Sequence, residues 1–371
     1  MSAASHTVVL AAGGTGGHVF PAQALADTLS SRGYDVALVT DDRGGELQSK
    51  FPGIRVHRVK AGGIAGKSIL ARIASVIALG FGTLAARSIL KQLKPVCVVG
   101  FGGYASVPAM MAASGKFPTI VHEQNAVLGR ANRLLAGRAN RIATAFASVK
   151  NLGENNETKA VQTGMPVRPE IAAARSTPFD QPMPDGVFRV LVLGGSQGAR
   201  VFSDVIPAAI QKLSPALQAR VSIEQQCRPE DLDRVREIYK TTNVTADLAT
   251  FFDDVPARLA RAHLVIARAG ASTVAELIAV GRPAILVPYP YAVDNHQDAN
   301  AHAIADAGAG WLMPEPAFTD QTVADRLVNL MTHPSLLIAM AQGALAVGKT
   351  DAADALADLV EDVIKQRGIA A

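Results

Sequence analysis

Two glycine clusters, each closing an apolar run, are the first residues in this 371-residue chain that could do chemistry. VVLAAGGTGGH ends at His18, and VLVLGGSQGAR repeats the design after residue 188. Glycine is needed where the backbone turns sharply and where a phosphate must approach the main chain. A helix that follows such a turn presents unpaired N–H groups and a partial positive charge. Both turns therefore suit a diphosphate. Neither has the dinucleotide spacing G-x-G-x-x-G: Gly14-Thr15-Gly16 runs on into Gly17-His18-Val19, and Gly194-Gly195-Ser196-Gln197-Gly198 is spaced differently. Nicotinamide chemistry is disfavoured.

Other polar groups fall where such turns place ligands. His18 should begin a helix, whose N-terminus disfavours imidazolium and keeps the ring able to accept a proton, as a general base must. The alternative is a capping or packing histidine. His122-Glu123-Gln124-Asn125 ends an apolar run, the strand-end position at which open α/β sheets bind ligands. Arg268 to Glu276 again reads as strand, small-residue turn and helix. Glu276, about one turn in, could accept both hydroxyls of a ribose. Asp294 to Asn300 follows another strand and a proline-rich turn, and Gln297 there could bond sugar hydroxyls.

Two near misses exclude other classes. Gly62-Gly63-Ile64-Ala65-Gly66-Lys67-Ser68 resembles a P-loop, but Ala61 stands where glycine is required, which argues against an ATPase. Asp231-Leu232-Asp233 resembles a manganese-holding motif, yet Pro229 before it and Arg234 and Arg236 after it read as the first turn of a solvated helix. No metal site is expected, and no cofactor. Cys97 and Cys227 lie too far apart in sequence for a knuckle or a redox pair and read as small buried thiols.

These residues need elements to carry them. Near-continuous apolar runs at Thr7–Ala11, Asp35–Thr40, Val96–Val99, Thr119–His122, Arg189–Leu193, Leu264–Ala267 and Ala284–Val287 read as buried parallel strands. Helical spans of a dozen residues or so separate them, giving βαβ units and doubly wound sheets. The proline-rich segment Ser176–Gly186 reads as a linker. Two Rossmann-like domains are expected, at 1–168 and 169–350, with a final helix over 351–371 free to pack back onto the first. Residues 1–168 carry 19 Lys+Arg against 8 Asp+Glu, and the remainder 17 against 24, so the first half suits an anionic partner. The N-terminus lacks a signal-peptide pattern. The longest uncharged apolar stretch, Ile73 to Ala86, is shorter than the roughly 20 residues of a membrane span and is closed by Arg72 and Arg87. With Lys67 and Lys91 nearby, Ile69 to Leu90 suits an interfacial surface on an anionic leaflet instead.

Six segments in this order, GGTGGHVFPA, GFGGYASVPA, HEQNAVLGRAN, TGMPVR, GGSQGAR and RAGASTVAELIAVGRPAILVPYPYAVDNHQDANA, resemble the MurG family, glycosyltransferases of family 28. The resemblance spans about residues 10–310. It implies the GT-B fold, two Rossmann-like doubly wound parallel-sheet domains facing a cleft. It also implies inverting transfer of GlcNAc from UDP-GlcNAc to the 4-hydroxyl of MurNAc in undecaprenyl-diphosphate-linked lipid I, giving lipid II for peptidoglycan, with no metal. Carried over motif by motif, the donor contacts are Thr15, Gly16 and Gly17, Asn125, Arg168, Ser196, Ala271, Ser272, Thr273, Val274, Ala275, Glu276 and Gln297. Phe252 matches the position whose backbone faces uracil. His18 is the candidate base and Glu123 the alternative, while Arg168, Ser196 and the helix after it meet the leaving diphosphate. Expected partners are UDP-GlcNAc, lipid I and an anionic membrane surface, at the cytoplasmic face of the plasma membrane. Another GT-B enzyme, such as a diacylglycerol glycosyltransferase or a UDP-GlcNAc 2-epimerase, stays open. A nucleic-acid-binding protein is disfavoured by the few aromatics and the lack of a recognition motif.

Overall fold

The computed structural model describes residues 6–13, 16–41, 51–61, 69–195 and 198–368. Compact packing divides the chain into one unit spanning Met1–Arg168 and Thr350–Ala371 and a second spanning Pro169–Lys349.

In the first unit, β1 (Thr7–Ala11), β2 (Asp35–Thr40), β3 (Arg55–Arg58), β4 (Cys97–Gly100), β5 (Thr119–Glu123), β6 (Arg141–Thr144) and β7 (Ala160–Gln162) form one sheet in the order β3-β2-β1-β4-β5-β6-β7. Every pairing is parallel. The strands run outward from β1 in both directions, so the order reverses between β1 and β4. That switch point is where an open α/β sheet leaves a crevice at its carboxyl edge. α1 (Gly16–Ser31) follows β1, α2 (Ile69–Leu93) precedes β4, α3 (Gly103–Ala113) follows it, and α4 (Arg130–Ala136) follows β5.

The second unit repeats the design. β8 (Phe188–Leu193), β9 (Val221–Gln226), β10 (Thr245–Ala249), β11 (Leu264–Ala267), β12 (Ala284–Leu286) and β13 (Gly310–Leu312) pair in parallel in the order β10-β9-β8-β11-β12-β13. The switch point here lies between β8 and β11. α5 (Arg200–Gln211) follows β8, α6 (Val255–Arg261) precedes β11, α7 (Ala271–Val280) follows it, and α8 (His296–Asp306) follows β12. The expected fold class, two doubly wound parallel sheets, is the fold observed.

The strands form because their side chains are buried on both faces: β1, β4, β5, β11 and β12 are buried at every residue. The strands missing from the sequence-based expectation are mostly edges. RVHR of β3, AVQ of β7 and TADLA of β10 are half-buried or exposed, so they lack the apolar continuity by which a buried strand is recognised.

α9 (Ala352–Gln366) packs on the first unit, not the second, whose last residue it closely follows. Leu356, Val360, Val363 and Ile364 join Leu25 and Leu29 of α1 in one core. At the surface Arg32 bonds Asp354 and Asp358 at 3.0 and 2.6 Å, with Glu361 at 3.3 Å.

α2 departs from the expectation of a short apolar stretch. Its segment Ala74–Leu93 is long and apolar enough, by length and composition, to cross a membrane, since only Arg87 and Lys91 interrupt it. One stripe is nevertheless packed: Ser75, Gly82, Ala86 and Leu90 are buried, with Ala86 and Leu90 in a core that includes Val9, Val98 and Val107. Val76, Ile77, Phe81 and Leu84 lie on the other side, each more than half exposed.

Arg282, between α7 and β12, is the largest fully buried side chain among the described residues. Its guanidinium donates to the carbonyls of Leu259, Ala260, Val280, Gly281 and Thr177 at 2.6–3.3 Å. Burial pulls its pKa down to about 10, so it stays charged at neutral pH. It ties the 176–186 segment to α6 and to the end of α7. Arg282→Met would remove the donor from all five carbonyls, of which Leu259 O keeps Ala262 N at 3.2 Å, and urea unfolding should show the second unit destabilised by about 3 kcal/mol or more.

Candidate active site

Both switch points gather the polar residues singled out above. In the first unit, the carboxyl ends of β1, β4 and β5 bring together His18, Phe101 to Gly103 and His122 to Asn125. His18, in the first turn of α1, places Nδ1 2.7 Å from the carbonyl oxygen of Phe101 and 2.8 Å from the side-chain amide of Gln124. Its ring lies on a bare backbone: a Cβ on Gly102 would come 3.4 Å from Cε1, and one on Gly103 3.3 Å from Nε2. Both glycines have positive φ, 83° and 68°, a conformation side chains resist. Gly17 lies beside His18 in the same turn. Arg168 closes the unit with its guanidinium 5.5 Å from the ring centre of Phe20, two residues along α1 from His18.

Glu123 is 2% exposed and its oxygens are saturated. Oε1 accepts from the Asn125 backbone and side chain at 2.9 and 3.3 Å, and Oε2 accepts from Gly129 N and Asn132 Nδ2, both at 2.8 Å. Burial pushes the carboxyl pKa up, and the four donors pull it back. On sequence alone Glu123 is an alternative base. Here it is instead the knot that folds residues 125–132 over the end of β5, which sets the position of Asn125.

In the second unit, Ser196, like Thr15 in the first, lies outside the described residues, as does the P-loop-like segment 62–68; of Gly16 only the backbone is described. The described glycines before Ser196, Gly194 and Gly195, are held in place by Gln226. Gln226, at the end of β9, accepts from Gly194 N at 3.2 Å and donates to Gly195 O at 3.3 Å and Thr250 O at 3.2 Å. It thus locks the glycine turn to the loop that carries Phe252. Gly198, with φ 68°, leaves room for Arg228, whose Cγ would meet a Cβ there at 2.6 Å. Phe252 is buried under the Arg258 guanidinium, 3.9 Å from its ring centre, so what this residue offers a ligand is main chain. Arg258 is held in turn by Asp247 and Asp254, both at 2.6 Å.

Ala271, Val274 and Ala275 of α7 are buried, and Val274 N donates to Gly270 O at 2.9 Å. Ser272, Thr273 and Glu276 are partly exposed on the same first turns. Asn300 of α8 donates to Ala269 O at 3.1 Å and pins this turn from beneath. Gln297 spends its carbonyl oxygen on Tyr289 N at 2.9 Å, which leaves its NH₂ to offer a ligand. Just before α8, Asp294 and Asn295 both adopt left-handed conformations, φ 54° and 53°, a local strain of order 1 kcal/mol each. Asp231 and Asp233 pair with Arg234 and Arg236, as helix acids do.

The sequence-based reading missed Gln226 as a clamp, although its signal was present: the alternating strand VSIEQQ ends in two glutamines where a ligand-binding edge begins.

Two parallel α/β units, each with a glycine-rich turn after its central strand, make up the GT-B fold. Residues 8–144 match the model of the glycosyltransferase family 28 N-terminal domain and residues 189–356 that of its C-terminal domain; the chain belongs to this family. The UDP-N-acetylglucosamine--N-acetylmuramyl-(pentapeptide) pyrophosphoryl-undecaprenol N-acetylglucosamine transferase of Paramagnetospirillum magneticum is 56% identical over 365 residues, covering 98% of each chain. The protein of the same name in Rhodospirillum rubrum is 51% identical over 361 residues, covering 97% of this chain and 92% of that one. The crystal structure of Acinetobacter baumannii MurG matches with a TM-score of 0.79 at 30% identity, covering 96% of this chain and 99% of that one.

His122 gives the site a pH signature. It is fully buried beside Phe101, with Nε2 3.4 Å from Gly164 O, and burial, with nearby His18 adding to it, lowers its pKa from 6.5 to about 4. Unfolding lets the ring bind a proton that the folded state refuses, so stability is lost as pH falls from 6.5 towards 4. Thermal unfolding of the first unit should shift downward across that window, and His122→Gln should flatten the slope.

Proposed function

We propose that this chain transfers GlcNAc from UDP-GlcNAc to the 4-hydroxyl of MurNAc on undecaprenyl-diphosphate-linked lipid I, forming lipid II with inversion. The observation that supports it best is coverage: a relative named for this reaction matches 98% of the chain, so both switch points fall within the aligned length. The donor is held in the second unit. There the ribose hydroxyls bond Glu276, the uracil meets the Phe252 main chain, and the sugar hydroxyls take the Gln297 NH₂. Ser196 and the amides opening α5, with Ala271, Ser272, Thr273, Val274 and Ala275 along the start of α7, surround the diphosphate. Thr15, Gly16, Gly17 and Asn125 complete the contacts from the first unit, with Arg168 on the leaving group.

Chemically, His18 removes the acceptor hydroxyl proton through Nε2 as that oxygen attacks the anomeric carbon. The bond from that carbon to the diphosphate breaks, and UDP leaves with the electron pair, its charge met by N–H dipoles and Arg168. Glu123 serves by positioning Asn125. Purified protein given UDP-GlcNAc and a lipid I analogue should yield the disaccharide. His18→Ala should lower turnover roughly 10²–10⁴-fold with UDP binding nearly intact. Turnover within a few-fold of wild type would remove His18 from the role.

The protein works, on this reading, as a peripheral protein at the cytoplasmic face of the plasma membrane, where lipid I is presented. The exposed face of α2 and the basic residues near it support this placement. In flotation assays the protein should bind anionic vesicles, less at high salt, and Phe81→Asp with Leu84→Asp should cut the bound fraction about tenfold. Absence of binding at every salt concentration would reject the membrane contact.

A further inference from the structure

Two strand ends, those of β4 and β5, converge on one nitrogen of His18. Building on the reading of His18 as the base, we infer that Gln124 is a positioning residue: with the Phe101 carbonyl, it holds His18 in the Nδ1–H tautomer and so keeps the lone pair on Nε2.

The argument starts from what each partner can do. A backbone carbonyl only accepts, so at 2.7 Å from Phe101 O the nitrogen Nδ1 must carry the hydrogen. The Gln124 amide lies 2.8 Å from that same Nδ1. An NH₂ group there would oppose one donor to another, whereas a half-turn of the amide sets Oε1 against Nδ1–H. As placed, Oε1 is buried with no hydrogen-bond partner among the described residues, and the half-turn gives it Nδ1–H as a donor while turning the NH₂ to the place it left. Nδ1–H then sits between two neutral oxygens, which fixes both tautomer and ring orientation. The ring's other edge is set by Gly102 and Gly103, whose missing side chains leave Cε1 and Nε2 resting on main chain.

The residue type is also accounted for. A carboxylate at this position would favour imidazolium and withhold the lone pair, while an amide orients the ring without charging it. Among the described residues, the titratable and charged groups on the elements around His18 include His122 and Glu123 at the end of β5, Tyr104 in the first turn of α3, Arg130 and Arg133 on α4, Arg168 stacked on Phe20, and Asp41 just after β2, beyond Gly13. Burial keeps His122 neutral, and Glu123 spends both oxygens on residues 125–132. Position 124 is therefore where a change of charge would act on Nδ1 directly.

Long-range ¹H–¹⁵N correlation on ¹⁵N-histidine-labelled protein, with His18→Ala for assignment, reads the tautomer without any substrate. Wild type should show a protonated Nδ1 and a pyridine-like Nε2, and Gln124→Met should shift His18 toward a mixture. In kinetics, Gln124→Met should lower kcat roughly tenfold at unchanged KM for UDP-GlcNAc, less than loss of the ring because Phe101 O remains. Gln124→Glu should recover orientation but move the acidic limb of kcat/KM up by about one pH unit. A wild-type spectrum with hydrogen on Nε2, or a folded Gln124→Glu enzyme with its acidic limb unmoved, overturns the inference. A His18→Ala enzyme that keeps near wild-type turnover instead overturns the base assignment, while the spectrum judges the tautomer lock on its own.

Discussion

The parallel hydrogen-bond ladder is the constraint from which the rest follows. Strands buried on both faces, as β1 and β11 are, can carry almost no polar side chains along their length. Polar chemistry is pushed to the carboxyl edges, and at a switch point the crossover helices leave on opposite sides and open a gap there. Both units obey this. The first gathers His18, Gly102, Gly103 and His122 to Asn125 around the β1–β4 reversal, and the second gathers the Gly194 turn, Gly270 and the first turns of α7 around β8–β11.

Within that frame, charge is handled by neutral dipoles more than by opposite charge. Arg282 sits among five carbonyls, Glu123 among four amide N–H donors, and His18 Nδ1 beside a carbonyl and a carboxamide. Such cages are rigid because each partner belongs to the main chain or to a packed side chain. They also leave the net charge of the neighbourhood unaltered, which suits a site meant to receive a diphosphate from outside. Ion pairs are used mostly at the periphery, as where Arg32 meets α9 or Arg258 meets Asp247 and Asp254.

How much of this was legible in the sequence follows from the same physics. The strands TVVLA, DVALVT and LVIA have the limits expected of them, because continuous burial writes itself as a continuous apolar run. The strand-end polar clusters were legible for the converse reason: four polar residues after such a run have no place in a core. What could not be read was what each polar group touches. Glu123 looked like a base because nothing in its spacing reveals that residues 125–132 fold back and saturate it. The Phe101 carbonyl is invisible as a functional group, since every residue has one and only the fold brings this one to His18. Arg282 reads as an ordinary cation following a helix, and its burial depends on the 176–186 segment crossing above it.

The placement of α9 bears on the order in which the molecule is built. The peptide crosses from the first unit to the second after Arg168 and returns at Thr350, so the first unit lacks a wall of its core until α9 has been made. The second unit is encoded in one uninterrupted stretch, so no part of its core waits on residues made after Lys349. The unit whose first strands are made before any of the other's is thus the one whose core is completed last.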